Sequence, residues 1–251
     1  MDELELLLDL HRGASRQGPG GDSEVEKAIG LAGIDRDASL KIADIGCGTG
    51  ASTLTLARLL NAKIFAVDFL QDFLDALAGR AQSGGVAEKI TPICASMEQL
   101  PFEDEEFDVI WSEGAIYNMG FAKGVADWNR YLKPGGLLVA SEITWLTNSR
   151  PSKLHHHWNN EYPEIGAASA KIKVLEDSGY TPIGYFVLPE QCWLDNYYEP
   201  MRRSFDAFLT RNENSEEARA IVEAERREIE LYEKYKAYFS YGMYIAKKRS
   251  E

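Results

Sequence analysis

Three glycines at alternate positions, directly after a short apolar run, constrain this chain more than any other feature. The run ends at Ile45, and Gly46, Gly48 and Gly50 follow it in the sequence KIADIGCGTG. Glycine tolerates positive φ, and its missing side chain lets a ligand approach the backbone. The N–H groups that open the following helix then face that ligand. The pattern predicts a strand, a tight loop and a helix that together bind a mononucleotide-like cofactor.

Strand-like and helix-like segments alternate from about residue 23 to residue 145, which is typical of a parallel sheet covered by helices on both faces. The predicted strands are short and apolar. They are Leu40 to Ile45, Ile64 to Val67, Ile90 to Cys94, Phe107 to Trp111 and Gly136 to Ser141. Helical spacing is found at Ala51 to Leu60, Leu70 to Gln82 and Val125 to Leu132. We therefore predict a doubly wound α/β fold.

Both ends of the chain carry other patterns. Residues 1–22 read as an amphipathic helix and a glycine-rich hinge, GASRQGPGGD, and residues 23–251 as a single domain. After residue 145 we predict further elements. They are a helix at Ala167 to Ser178, a strand at Pro182 to Val187, helices at Leu194 to Leu209 and Asn214 to Tyr235, and a strand at Tyr238 to Ala246. Asn214 and Glu217 form a candidate capping box. The sheet is thus predicted to have seven strands, with residues 188–237 inserted between the last two as a helical cap.

Composition excludes several classes of function. The net charge of −13 would repel a phosphate backbone, and no basic stripe is present, so we expect no nucleic-acid partner. The three cysteines are widely spaced and form no CxxC pair, which favours reduced thiols in the cytoplasm. No run of 18 apolar residues exists and the acidic start does not resemble a signal peptide, so we expect a cytoplasmic protein without a membrane span.

The glycine loop alone leaves the cofactor open. Gly46, Gly48 and Ala51 satisfy the relaxed dinucleotide fingerprint, which would suit NAD. Asp68 lies 22 residues beyond Gly46 at the end of the next strand, where a carboxylate accepts hydrogen bonds from both hydroxyls of a ribose. Asp68 and Gln71 also have the spacing of a helix capping box.

Five blocks in order carry more information than any one of them. They are ADIGCGTG at 43–50, Asp68, SMEQLPF at 96–102, FDVIWSEGAIY at 107–117 and LKPGGLLVASE at 132–142. In these blocks the chain resembles the class I S-adenosylmethionine-dependent methyltransferases, especially the small-molecule branch of ubiquinone and menaquinone biosynthesis (the methyltransferase domain 11 type). The resemblance covers roughly Leu40 to Glu142. It implies a Rossmann-like fold, S-adenosyl-L-methionine as cofactor, S-adenosyl-L-homocysteine as product, and in-line methyl transfer to O, N or C of a small molecule.

The resemblance also implies roles for single residues. Asp68 is expected to hold the ribose, Phe69 to lie beside the adenine face, and Met97 to meet the adenine edge. Relatives usually carry Asp at the position of Ser96, and because a hydroxyl makes a weaker, neutral hydrogen bond, Glu98 is a second candidate for that edge. The predicted cofactor set is Gln17, Asp44, Gly46, Gly48, Thr49, Asp68, Phe69, Ser96, Met97, Glu98 and Glu113.

Residues on the acceptor side are predicted from their aromatic character. Aligning donor and acceptor supplies most of the catalysis in methyl transfer, and a base is needed only when the acceptor holds a proton of high pKa. The candidates for such a group are Glu113, Tyr117 and His155. The predicted acceptor pocket contains Tyr117, Asn118, Trp145, His155, Trp158, Tyr162 and Tyr197, with Trp193 and Tyr198 from the cap. These side chains favour an apolar or aromatic acceptor.

Three further points complete the expectations. His155, His156 and His157 are consecutive and cannot easily converge on one ion, so we expect a loop with one inward histidine and no metal. The alternatives to a methyltransferase are an NAD(P)-dependent oxidoreductase and a non-catalytic adenosyl-binding protein. The sequence leaves a homodimer open.

Overall fold

The computed structural model describes residues 3–250 and contains one large mixed sheet. Its strands are β1 Leu40–Ile45, β2 Ala62–Asp68, β3 Ile90–Cys94, β4 Phe107–Ser112, β5 Leu132–Trp145, β6 Gly166–Ala167, β7 Tyr180–Val187 and β8 Phe239–Lys248. The order is β3-β2-β1-β4-β5-β8-β7, with the two-residue β6 paired to β5. The first five strands in this order are parallel, and β8 is antiparallel to both neighbours. This confirms the predicted doubly wound, mostly parallel seven-stranded sheet, to which β6 adds a short eighth strand.

Ten α-helices surround this sheet in the described part of the chain. They are α1 Glu3–His11, α2 Asp22–Ala32, α3 Ala51–Leu59, α4 Gln71–Ser83, α5 Phe121–Trp128, α6 Ser152–Glu161, α7 Ala168–Asp177, α8 Glu190–Trp193, α9 Glu199–Arg211 and α10 Glu216–Tyr235. Adjacent β1 residues Ile42 and Ala43 are fully buried in two different apolar clusters. Since neighbouring strand residues point to opposite faces, both faces of the sheet are covered.

The position of β1 determines where a ligand binds. β1 pairs with β2 on one side and with β4 on the other, so the direction of the crossovers reverses at this strand. In open α/β sheets ligands bind beyond the carboxyl ends of the strands at such a switch point. The carboxyl ends of β1, β2 and β4 are therefore the expected site.

Helices inserted between β7 and β8 lie over this edge of the sheet. They are α8, a π-helical turn at Leu194–Tyr198, α9 and α10. The cap also holds the N-terminal helix, because Arg211 of α9 pairs with Asp9 of α1 and His11 Nε2 lies 3.4 Å from Glu225 Oε1 of α10. The placement of cap helices between the last two strands agrees with the sequence. The division at residue 22 stays a prediction.

Two local predictions were wrong. α10 is capped by Ser215, whose Oγ accepts a hydrogen bond from the Ala218 N–H at 3.2 Å, while Asn214 precedes the helix with φ of 52°. The proposed Asn214–Glu217 capping box therefore does not form. The histidine-rich segment, predicted as a loop, is helix α6, because Leu154 and Trp158 recur at i,i+4 and pack on the core.

Candidate cofactor and acceptor site

The glycine loop has the conformation that its sequence predicts. Gly46, Gly48 and Gly50 have φ of 76°, 54° and 88°. A Cβ atom at Gly46 would lie 2.2 Å from the Cβ of Ala115, so no larger residue fits there. The N–H groups of Gly46 and Cys47 donate to the Val67 carbonyl at 2.8 and 3.0 Å, which fixes the loop against the end of β2.

Asp68 joins this loop to the next helix. Its Oδ2 accepts a hydrogen bond from the Gly48 N–H at 2.9 Å, and its Oδ1 accepts one from the Leu70 N–H at 3.0 Å. Burial raises the pKa of Asp68, and the backbone donors oppose that shift. The Asp68–Gln71 capping box is absent, because Gln71 Nε2 donates instead to Asp75 at 2.7 Å.

A cavity of about 530 Å³ lies beside the loop at the carboxyl ends of β1, β2 and β4. We call it the cofactor cavity. Ten of the eleven predicted cofactor residues line it. They are Gln17, Asp44, Gly46, Gly48, Asp68, Phe69, Ser96, Met97, Glu98 and Glu113. Their individual contacts with a cofactor stay predictions.

Thr49 is the exception, and its placement corrects the prediction. It is fully buried, and its Oγ1 donates to the Ala14 carbonyl at 3.1 Å. The Thr49 N–H donates to Gln17 Oε1 at 2.9 Å. Thr49 therefore anchors the hinge rather than lining the cavity.

The hinge at residues 13–22 closes over the glycine loop. Gln17 Nε2 donates to the His11 carbonyl at 3.1 Å, and Arg80 Nη2 donates to the Ala14 carbonyl at 2.7 Å. Asn196 of the cap donates to the Gly20 carbonyl at 2.7 Å. The hinge thus contacts both the sheet domain and the cap, and it forms one wall of the cavity.

Glu113 presents an unsatisfied oxygen to the cofactor cavity. Its Oε1 accepts a hydrogen bond from Trp111 Nε1 at 2.8 Å. Its Oε2 is buried and has no hydrogen-bond partner within residues 3–250, and Arg16 Nη1 lies 3.7 Å away. Burial raises the pKa of Glu113, and the nearby Arg16 charge opposes that shift. An orphaned carboxylate oxygen beside a backbone cradle suits a ligand that carries an ammonium group.

Asp44, at the end of β1, is a second buried acid at this cavity. Its Oδ2 accepts a hydrogen bond from Thr53 Oγ1 at 2.5 Å, and it is 1% exposed. Burial, with a smaller contribution from the charges of Glu113 and Asp68, raises the pKa of Asp44 to about 7. Together, Asp44 and Glu113 give the cofactor cavity an acidic lining.

We expect Asp44→Asn to change how stability depends on pH. Because the pKa of Asp44 is about 7 in the folded protein against 3.8 ordinarily, the folded protein keeps a proton that the unfolded chain has released between these values. Asp44 therefore lowers stability as pH rises from about 4 to about 7, by up to about 1 kcal/mol per pH unit. Thermal unfolding from pH 5 to pH 8 should show the variant gaining on the wild type as pH rises. The exposed Asp72→Asn serves as control, and parallel curves for Asp44→Asn and wild type would contradict the assignment.

A second cavity, of about 880 Å³, lies between the sheet edge and the cap. We call it the acceptor cavity. It shares Gln17, Gly18, Pro19, Gly114 and Tyr117 with the cofactor cavity. The two cavities therefore adjoin just beyond the carboxyl end of β4.

The predicted acceptor residues are divided by the structure. Tyr117, Trp158, Tyr162 and Tyr197 line the acceptor cavity, whereas Asn118 lines the cofactor cavity. Of the catalytic candidates, Tyr117 thus lies where the cavities meet.

Trp145 and His155 lie outside the lining of both cavities, which corrects their predicted placement. Trp145 is 6% exposed and packs edge-on against Phe239, with Arg150 over its ring at 4.1 Å. His155 turns its Nε2 toward Asn159 at 3.3 Å. Because α6 is a helix, the neighbouring His157 faces the acceptor cavity instead.

Glu228 of α10 and Tyr241 of β8 are among the residues of the acceptor cavity that sequence reasoning missed. The sequence does contain a pattern that could have found Glu228. Ala224, Glu228 and Leu231 have the spacing of one helix face, and all three line the cavity. No comparable signal exists for Tyr241. Its position depends on β8 pairing with β5 about 100 residues earlier in the chain.

Within residues 3–250, no group of three or more His, Cys, Asp or Glu side chains is arranged to hold a metal ion. Over the same residues, no helix is both long enough and apolar enough to cross a membrane.

Comparison with known proteins agrees with the cofactor-binding site that the geometry indicates. A family profile described as a methyltransferase domain matches residues 42–136. An uncharacterized protein of Haemophilus influenzae is 29% identical over 158 residues, or 62% of each chain. The ubiquinone/menaquinone biosynthesis C-methyltransferase UbiE of Geobacter sp. strain M21 is 27% identical over 169 residues, which are 66% of this chain and 68% of that protein. The chain spans 36 to 62% of the lengths of the first curated relatives it matches.

A solved structure shows the same fold over nearly the whole chain. The S-adenosylmethionine-dependent methyltransferase of Geobacter sulfurreducens, crystallised with S-adenosyl-L-homocysteine, has a TM-score of 0.85 at 18% identity and covers 98% of both chains. This likeness demonstrates the fold.

The doubly wound sheet, the glycine loop and the carboxylate at the end of β2 define a domain that binds an adenosyl cofactor. The match of residues 42–136 to a methyltransferase domain then indicates which class of adenosyl-binding protein this is. The chain is similar to class I S-adenosylmethionine-dependent methyltransferases, whose cofactor is S-adenosyl-L-methionine. The orphaned Glu113 oxygen and the Gly46–Gly48 cradle fit the ammonium group and close backbone approach of that cofactor.

Proposed function

We propose that this protein transfers a methyl group from S-adenosyl-L-methionine to a small molecule held in the acceptor cavity. The observation that carries the proposal is the junction of the two cavities at Gly114 and Tyr117. A donor in one cavity and an acceptor in the other would meet at the carboxyl end of β4. The hinge and the cap enclose this point, so the acceptor must be small enough to enter between them.

The residues of the cofactor cavity would bind and orient the donor. Asp68 would accept hydrogen bonds from the ribose hydroxyls, and Glu113 would accept one from the ammonium group. The cofactor supplies an electrophilic methyl group. What the chain supplies is alignment, which accounts for much of the rate acceleration when two reactants are held in a near-attack geometry.

Features of the acceptor cavity and of the sequence support the proposed type of acceptor and the proposed cellular location. Aromatic rings dominate the acceptor cavity, which favours an acceptor with an apolar or aromatic body. The net charge of −13 disfavours nucleic acid as the substrate. The three free cysteines support a cytoplasmic location.

Calorimetry with S-adenosyl-L-homocysteine tests the proposal. We expect saturable binding in the micromolar range, and formation of S-adenosyl-L-homocysteine from S-adenosyl-L-methionine when pools of phenols, quinols and amines are supplied. No binding at high micromolar concentration would exclude the proposed function. A fluorescence change with NADH in that case would support the oxidoreductase alternative. Cofactor binding without turnover of any acceptor pool would favour a non-catalytic adenosyl-binding protein.

A further inference from the structure

One wall of the acceptor cavity consists of tyrosines around a single carboxylate. Glu228 of α10 faces Tyr197 and Tyr198 from the π-helical turn, Tyr241 of β8 and Tyr117 beyond β4. The Tyr198 hydroxyl donates to Glu228 Oε1 at 3.0 Å. We call these five residues the tyrosine–glutamate wall.

The rings of this wall are held by packing. Tyr197 and Tyr198 lie with ring centroids 5.1 Å apart. Trp193 stacks on Tyr241 at 5.3 Å and on Tyr232 at 4.3 Å, while its Nε1 donates to Ser240 Oγ at 2.9 Å. Side chains fixed in this way present preorganised aromatic surfaces to a ligand.

Glu228 has no ion-pair partner within 4 Å among the described residues 3–250. Burial, and then the neighbouring charge of Glu225, raise the pKa of Glu228. The hydrogen bond from Tyr198 and the charge of His11, whose Nε2 lies 3.4 Å from Glu225 Oε1, oppose that shift. Glu228 is exposed and lines the cavity, so a charged group of a bound ligand can pair with it.

The tyrosines of the wall cannot supply a counterion to Glu228. Burial is the main cause that raises the pKa of each of the four tyrosines, and the charge of Glu228 adds to every one of these shifts. Their hydroxyls therefore remain protonated and neutral. Six exposed charged residues line the cavity: Lys153, Arg227 and Lys234 are positive, and Glu161, Glu228 and Glu230 are negative.

Glu228 is exposed, lines the cavity and has no ion-pair partner within 4 Å among the described residues, and aromatic faces attract cations. We propose, on the basis of the function proposed above, that the methyl acceptor is an amine whose nitrogen binds against Glu228 and the surrounding tyrosine rings. The reaction is then N-methylation. A neutral phenol or carbon acceptor would leave the Glu228 charge uncompensated in the bound state.

The charge balance of the reaction agrees with this acceptor. The ammonium form of the acceptor first loses one proton to water. The nitrogen lone pair then forms the N–C bond while the S–C bond breaks, and the electron pair of that bond stays on sulfur. The products are a methylated ammonium ion and neutral S-adenosyl-L-homocysteine. Positive charge thus moves from the cofactor into the acceptor cavity, where a fixed carboxylate and aromatic faces stabilise it as it develops.

Two probes of equal shape and different charge test the inference. Choline and its neutral isostere 3,3-dimethylbutan-1-ol are titrated by calorimetry into the protein saturated with S-adenosyl-L-homocysteine. We expect choline to bind at least tenfold more tightly than the alcohol. Glu228→Gln should abolish most of this preference, whereas Glu223→Gln, on the exposed face of the same helix, should keep it. Thermal unfolding of each variant confirms that it is folded.

Each result has one interpretation. Equal affinity for the two probes, absence of choline binding, or an unchanged preference in folded Glu228→Gln overturns the amine proposal. If S-adenosyl-L-homocysteine forms only when phenol pools are supplied, the amine proposal is overturned as well, while methyl transfer itself stands. If S-adenosyl-L-homocysteine fails to bind, the proposed function falls and the amine proposal falls with it.

Discussion

Asp68→Ala is expected to weaken S-adenosyl-L-homocysteine binding by about 10- to 100-fold, or roughly 1.5–3 kcal/mol. The carboxylate is the acceptor that the ribose hydroxyls would use. It also accepts the Gly48 and Leu70 N–H groups at 2.9 and 3.0 Å, so its loss frees the glycine loop as well. Isothermal titration calorimetry at fixed ionic strength measures the effect directly.

A matched control separates these two roles of Asp68. Asp72→Ala removes an exposed carboxylate from the first turn of α4 and should leave the affinity unchanged. Asp68→Asn keeps one acceptor oxygen and should fall between wild type and Asp68→Ala. Unchanged affinity together with a lowered unfolding temperature would mean that Asp68 only supports the loop.

Local signals in the sequence were enough to predict the cofactor side. The path from Gly46 to Asp68 runs through one strand, one loop, one helix and the next strand, and each has a strong local pattern. Parallel pairing of β1 with β2 then places both residues at the same edge without further information. This path accounts for Gly46, Gly48 and Asp68, whereas the other predicted residues that line the cofactor cavity lie outside it. Thr49 differs because its neighbour in space is Ala14, and the hinge has no periodic pattern that could place it.

The acceptor side depends on contacts between distant segments. Tyr117 and Glu228 line the same cavity although they are 111 positions apart in the chain. Ala224, Glu228 and Leu231 recur on one face of α10, but only the packing of the cap determines that this face lines the cavity. The error at His155 has the same origin, since a loop and a helix through Leu154 and Trp158 direct the histidines differently. The aromatic content of the sequence predicted an aromatic acceptor cavity, but it could not identify which residues line that cavity.

Replacing Gly46 by alanine should damage both stability and cofactor binding. Gly46 has φ of 76°, and an added Cβ would lie 2.2 Å from the Ala115 Cβ, so left-handed strain and overpacking act together. We expect the free energy of unfolding to fall by about 2–4 kcal/mol and S-adenosyl-L-homocysteine binding to be lost. Gly79→Ala is the control: it lies inside α4 with no atom within 4 Å of the added Cβ, and it should stabilise by roughly 0.5–1 kcal/mol. Chemical denaturation and calorimetry measure the two effects. Wild-type affinity in Gly46→Ala would show that the loop can shift away from Ala115, and that close backbone approach at Gly46 is not what holds the cofactor.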